Sequence, residues 1–374
     1  MSLPVRLSAA IMTHPARRAR ALALRDGLPE LSLQVVEDPD PYGPGSCSAR
    51  TAVLAWGAMA PEATHHLVLQ DDAVPVPDLR ERVLRAVGER PAAAISLYTE
   101  WASATSSAVH LAAWLGQPFA EVCDPYTPCI GLVLPAEAAR ELARTTPEVP
   151  QDDVMIADVL RRLGVPAYVT VPHLVQHATE MSLTGNTPMG LRLAACYTTE
   201  PHGDTSPVVD ARVDLLPCFS RSYGRPYYLE RNPDSAFGWS QSGLLDVMRR
   251  RDVDVPALQR TAARRAAGLH RAEPDLRPDI VISLWITAWL GGVELRRLLD
   301  DQAVVPAQVL DRRLGQIALA NIGPGIFDQY LLPERLLELS PVLETFAREA
   351  FAEGVTPSGS REAQLLPDAR SSGS

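Results

Sequence analysis

The chain has 374 residues, 46% apolar and 21% charged, with a formal charge of −10. That length predicts two folding units, and the composition excludes wholesale disorder and fibrous repeats. Every basic residue is arginine, and the acidic balance argues against bulk electrostatic binding to nucleic acid.

Taken in order, the apolar, partly β-branched residues 6–13 predict a strand, and the Ala and Leu spacing over 17–28 predicts a helix. A second strand is expected over 33–37, a loop through the Asp, Pro and Gly cluster at 38–46, and a helix over 49–59. Residues 66–69 read as a buried strand running straight into Gln70, Asp71 and Asp72, so an acidic pair sits at a strand's carboxyl end. The alternation continues with a helix over 78–87, strands over 93–98 and 130–134, helices over 136–143 and 153–163, and a strand over 167–171. Such alternation predicts an α/β fold with a mixed, mostly parallel sheet, whose ligands bind beyond the carboxyl ends of the strands.

The pattern changes near residue 186. Pro, Gly and polar residues dominate 187–207, and aromatic-rich loop sequence runs on to Trp239. Helical signals recur over 244–251, 256–270, 293–300, 306–317, 333–339 and 342–353. The expected organisation is an α/β domain over 1–190, a loop-rich connection over 191–240, a mostly helical C-terminal unit over 241–355 and a disordered tail over 356–374.

Residues 1–10 lack the basic start and sustained apolar stretch of a secretory signal. The apolar run over 280–290 is shorter than the roughly 20 residues a membrane helix requires, so no transmembrane segment is expected. The five cysteines are odd in number and none has the two-residue gap of a zinc knuckle or redox motif, which predicts a reducing, cytoplasmic setting.

Four stretches carry candidate chemistry. Thr13-His14-Pro15-Ala16-Arg17-Arg18 closes the first strand; an arginine there can fork onto phosphate beside a helix N-terminus, or lie in an exposed turn. His66-Leu67-Val68-Leu69-Gln70-Asp71-Asp72 ends in adjacent carboxylates. These are hard oxygen ligands suited to Mg²⁺ or Mn²⁺ on a diphosphate, although Asp is also a common turn residue. Asp152 and Asp153 open a helix whose apolar face is Ile156, Val159, Leu160 and Leu163, closed by Gly164. Such an acid caps the helix or acts as a general base. Finally, the strand at 169–171 runs through Pro172 into His173 and His177; His173 reads as structural and His177 as a third metal ligand.

Taken together, residues 4–186 resemble the GT-A glycosyltransferases, particularly bacterial and phage-like members with Thr-His-Pro at the first strand and Leu-Val-Leu-Gln-Asp-Asp-Ala in mid-domain. The resemblance implies a nucleotide-sugar donor, an acceptor the sequence does not name, and Mn²⁺ or Mg²⁺ bound through Asp72, the last acid of an Asp-x-Asp or Glu-Asp-Asp signature. It further implies an acceptor-activating acid at Asp153 or Asp152. The segment with Pro172, Gln176 and His177 matches the family's closing strand, where His177 completes the metal site. By the same resemblance Thr13, His14, Arg17 and Asp71 face the nucleotide.

Gln70 departs from the family by replacing the acid often found first in the signature, and a neutral amide weakens the field on a cation. That departure keeps open a catalytically silent protein that binds nucleotide-sugar or glycan, with the helical unit as an interaction module. A nucleotidyltransferase would carry a Gly-rich phosphate loop after the first strand, and residues 13–20 hold no Gly. In the C-terminal unit, the aromatics of 223–228 and 237–239 suit a core as well as sugar stacking. Arg249, Arg250, Arg251, Arg260, Arg264 and Arg265 read as a solvated helix face.

Overall fold

The computed structural model describes residues 4–43, 46–179, 189–200, 212–251, 253–301, 310 and 312–356. The boundary expected near residue 186, the first residues of the helix expected over 306–317 and the tail over 357–374 lie outside the described residues.

Seven strands form the central sheet: β1 (Leu7–Thr13), β2 (Gln34–Glu37), β3 (His65–Gln70), β5 (Ala94–Ser96), β6 (Phe119–Glu121), β7 (Gly131–Pro135) and β8 (Ala167–Thr170). Their order is β2-β1-β3-β7-β5-β8-β6. β2, β1 and β3 are parallel, β7 runs against both β3 and β5, β8 follows β5, and β6 opposes β8. Five strands therefore share one direction, and the sheet is α/β, mixed and mostly parallel as expected. A separate antiparallel pair joins β4 (Ala73–Pro75) to β9 (Val175–His177).

β3 explains why the sheet is covered on both sides. Leu67 and Leu69 point into one apolar cluster and Val68 into another, and all three are buried. The first cluster takes Ala21 from α1 (Arg18–Gly27) and Val83, Ala86 and Val87 from α3 (Leu79–Glu89). The second takes α2 (Ser48–Gly57), α5 (Ala136–Arg144) and α6 (Asp152–Leu163). Each fully buried Leu or Val contributes about 1.5–3 kcal/mol.

The third and largest cluster joins the two halves of the chain. Its centre is α4 (Ala104–Leu115), a helix absent from the sequence expectation because, enclosed on nearly all sides, it has no polar face to set off an apolar stripe; eleven of its twelve residues are buried. Around it pack β10 (Leu215–Ser220), α9 (Pro278–Asp300), α10 (Arg313–Phe327) and α11 (Pro333–Val355). Trp114 stacks on Phe351 with ring centroids 4.3 Å apart, and its Nε1 donates to the Gly315 carbonyl at 3.0 Å.

Three sequence expectations change here. The connection over 191–240 contains a three-stranded antiparallel sheet, β10, β11 (Arg225–Arg231) and β12 (Trp239–Ser242). β10 holds four successive buried residues with Pro217 among them, so no period of two marks it. The helix expected over 293–300 is the end of the 23-residue α9, which includes the apolar run at 280–290. By length and composition α9 is able to span a membrane, but 72% of its most apolar window is buried inside the fold. The helices expected over 333–339 and 342–353 are the single helix α11, which continues through Pro341. α7 (Leu244–Arg250) and α8 (Val255–Ala272) complete the unit. On its surface Arg249, Arg250, Arg251 and Arg265 are ion-paired to Asp246, Glu230, Glu294 and Glu349 or Glu353.

The aromatics divide between core and surface. Tyr228 and Trp239 are buried, whereas Tyr223 is 70% exposed. Arg231 lies over the Trp239 ring at 4.5 Å and forks onto Glu121 of β6 at 2.6 and 3.1 Å, which ties the small sheet to the edge of the large one.

Candidate active site

The carboxyl end of β3 carries the acidic pair. β4 leaves immediately after it and pairs with β9 so that Ala73 stands opposite His177, while the Ala178 N–H donates to the Asp72 carbonyl at 3.0 Å. This register brings His177 Nε2 within 3.5 Å of Asp72 Oδ2, across about a hundred residues of sequence. The other ring nitrogen, Nδ1, lies 3.3 Å from the Leu191 carbonyl. A carbonyl and an ionised carboxylate both only accept, so each ring nitrogen faces an acceptor, Nδ1 the Leu191 carbonyl and Nε2 the Asp72 carboxylate.

The end of β1 supplies the second wall. Asp71 Oδ2 accepts from Thr13 Oγ1 at 2.6 Å and from the His14 N–H at 3.3 Å, and Asp71 Oδ1 accepts from Arg17 Nη1 at 3.1 Å. Arg17 Nη1 also reaches Asp72 Oδ2 at 3.2 Å, so one guanidinium bridges both acids. Thr13, His14, Arg17 and Asp71 thus form one cluster, whereas Arg18 turns away to Glu37. His14 also meets the Tyr42 ring edge-on at 5.3 Å.

The two carboxylates differ electrically. Burial pushes Asp71 up, and the bonds from Thr13 and Arg17 only partly offset this. Burial acts in the same sense on Asp72, but the hydrogen bond and charge of His177, with the charges of Arg17 and Arg192, outweigh it and hold Asp72 below its ordinary value. Asp72 Oδ1 is buried and has no hydrogen-bond partner. An ionised oxygen without a donor is costly unless a cation faces it. Among the described residues no three His, Cys, Asp or Glu side chains cluster as ligands of one ion.

Asp152 and Asp153, adjacent in sequence, have separate surroundings. Neither is the N-cap of α6, a place held by Gln151. Asp152 is buried: its Oδ1 accepts from Ser48 Oγ at 2.9 Å, and its Oδ2 from Gln70 Nε2 at 3.0 Å and Cys129 Sγ at 3.3 Å. Gln70 is therefore turned toward α6. Asp153 is half-buried, and its Oδ1 takes the Val154 N–H at 2.8 Å. Burial and the neighbouring Asp152 push its carboxyl up to about 6. Gly164 ends α6 at φ +65°, in the left-handed region where glycine costs least.

Several site residues were not read from the sequence. Glu100 follows β5 much as the acidic pair follows β3, a signal the strand-end rule offers. It is held by Arg192 Nε at 2.9 Å and Arg221 Nη2 at 2.6 Å, and these two charges overcome burial to keep it below its ordinary value. No local pattern marks either arginine. Arg192 sits at φ +54°, and its carbonyl accepts from the buried Tyr98 hydroxyl. Tyr98 also lies beside His177, with ring centroids 6.2 Å apart.

His173 is fully buried and its Nδ1 donates to the Thr170 carbonyl at 2.8 Å, in keeping with the structural role expected of it. Gln176 Oε1 accepts from the N–H groups of His177 and Ala194 at 2.9 and 2.6 Å. Gln176→Leu strands both donors and is expected to lower stability by about 2 kcal/mol, read as a lower urea midpoint at unchanged slope. The five cysteines are all free. No protein-family model matches the chain, and no curated protein matches it in sequence.

Proposed function

We propose that the chain is a GT-A-like glycosyltransferase that moves a sugar from a nucleotide-diphosphate donor to an acceptor hydroxyl or amine, with Mn²⁺ or Mg²⁺ at Asp72 and His177. One observation carries this reading: the partnerless buried Oδ1 of Asp72 lies on a carboxylate that also faces the Nε2 of His177, at the carboxyl edge of the sheet. These residues fit a divalent ion that takes one or two protein ligands and completes its shell from diphosphate oxygens and water. An imidazole in the set favours Mn²⁺ over Mg²⁺. The Leu191 carbonyl would keep the ring oriented by holding Nδ1–H.

When bound, the ion would neutralise charge on the departing diphosphate. The chain's own residues would do the rest. Arg17, in the turn that leads into α1, has the fork geometry for phosphate and is already drawn to this spot by the acids. Asp153, raised toward neutrality and half-exposed, suits a base that takes the acceptor proton. Asp152 would brace the site, since both its oxygens are engaged by Ser48, Gln70 and Cys129. Gln70 serves that brace, which accounts for an amide where an acid is usual.

The test is release of nucleoside diphosphate from a panel of nucleotide sugars with Mn²⁺ or Mg²⁺, in the presence of hydroxyl and amine acceptors. Turnover of at least one donor supports the proposal. Saturable donor binding without turnover across the panel would favour the silent binding protein, and pyrophosphate release from a nucleoside triphosphate would favour a nucleotidyltransferase. The Arg17 bridge yields a further expectation. Arg17→Gln removes a competing cation from the acids, so Mn²⁺ titration of the free protein should show about tenfold tighter binding, while the affinity for nucleotide donor falls.

A further inference from the structure

The last turn of α10 delivers Asp328 into the wall of the site. Its side chain is 1% exposed and accepts three hydrogen bonds: Leu191 N–H on Oδ1 at 2.7 Å, and Arg192 N–H at 2.9 Å and Trp101 Nε1–H at 2.7 Å on Oδ2. Gly190 precedes this clamp at φ +88°, and a Cβ there would collide with the Asp328 carboxylate. The two backbone units so captured are the ones that touch the site. The Leu191 carbonyl takes His177 Nδ1–H, the Arg192 carbonyl takes the Tyr98 hydroxyl, and the Arg192 guanidinium holds Glu100. The next two residues extend the hold. Gln329 Nε2 and the Tyr330 hydroxyl both donate to the Arg221 carbonyl, at 2.6 and 2.9 Å, and Arg221 is the second arginine on Glu100.

We propose that Asp328 is a positioning residue through which the C-terminal helical unit sets the acidic site: it pins residues 190–192, and that backbone holds the Nδ1 side of the His177 ring and places Arg192. The effect on cation binding rests on the function proposed above; the effect on His177 does not. A carboxylate accepts all three bonds, whereas an amide of the same shape presents N–H to at least one donor and leaves it unpaired.

The experiment compares the full chain with Asp328→Asn in two measurements. Histidine ¹⁵N–¹H spectra report which ring nitrogen of His177 is protonated, and electron paramagnetic resonance with Mn²⁺ alone reports cation affinity. In the parent, His177 Nδ1 is expected to carry a proton hydrogen-bonded to the Leu191 carbonyl. In Asp328→Asn the hydrogen-bonded Nδ1 proton signal should shift or be lost as the Leu191 carbonyl moves away, and Mn²⁺ affinity should fall roughly tenfold, the usual scale for losing the group that orients a ligand. Gly190→Ala, which displaces the same backbone and keeps the Asp328 charge, should reproduce both changes and serves if the Asn variant does not fold. An unchanged His177 spectrum in a folded variant overturns the proposal. Should the parent bind no Mn²⁺, the metal assignment falls, and the His177 spectrum alone decides whether Asp328 acts as proposed.

Discussion

Asp72→Asn is expected to cut donor turnover by roughly 10³-fold, equivalent to about 4 kcal/mol of transition-state stabilisation. The substitution keeps shape and removes the charge that faces His177 Nε2 and Arg17. Mn²⁺ binding to the free protein should fall with it, while thermal denaturation stays close to that of the parent, because the carboxylate anchored to the end of β1 is Asp71. Steady-state nucleoside diphosphate release and a Mn²⁺ titration measure the two effects. Parent-like turnover in a folded Asp72→Asn protein would rule out the acidic pair as the centre of the chemistry.

Asp153→Asn should lower turnover by about 10²–10⁴-fold, the contribution of a positioned general base. The parent's pH profile gives an independent check. A base works when deprotonated, and burial with the Asp152 charge pushes Asp153 up to about 6, so kcat/KM should rise through pH 6 and level off above it. The variant's residual activity should lack that limb.

Linkage gives the opposite sign for stability. The folded state holds the Asp153 proton more tightly than the unfolded chain, whose value is near 3.8. Its contribution to stability is therefore greatest below that value and is lost as pH rises toward and past 6. Asp153→Asn escapes this loss, so melting curves should place it above the parent at pH 8 and level with it near pH 4. A less stable variant at pH 8 would mean that Asp153 is an ordinary structural acid.

Much of the α/β half was legible because its strands are short apolar runs bounded by turn residues. The runs at 66–69 and 130–134 correspond to β3 and β7 within one or two residues. The direction of β7 was not legible, since hydrophobic pattern carries no sign for parallel or antiparallel pairing. Of the candidate site, the β1 end, the acidic pair and His177 do meet, because strand ends on one edge of a sheet are neighbours and β4–β9 register supplies the rest. Asp152 and Asp153 looked equivalent in sequence; only the approach of Ser48, Gln70 and Cys129 separates them. Arg192, Arg221 and Asp328 gave no local signal, because their roles depend on tertiary contacts between residues 92 to 227 positions apart.

The burial of α4 bears on how the molecule comes apart. A helix with eleven of twelve residues enclosed, some by the sheet side and some by α9, α10 and α11, has no watery seam along which the halves can separate. Calorimetry should then record a single endotherm spanning both halves. A fragment ending near residue 240 would expose the greasy flank of α4 and clump, so the α/β half is not obtainable by simple excision.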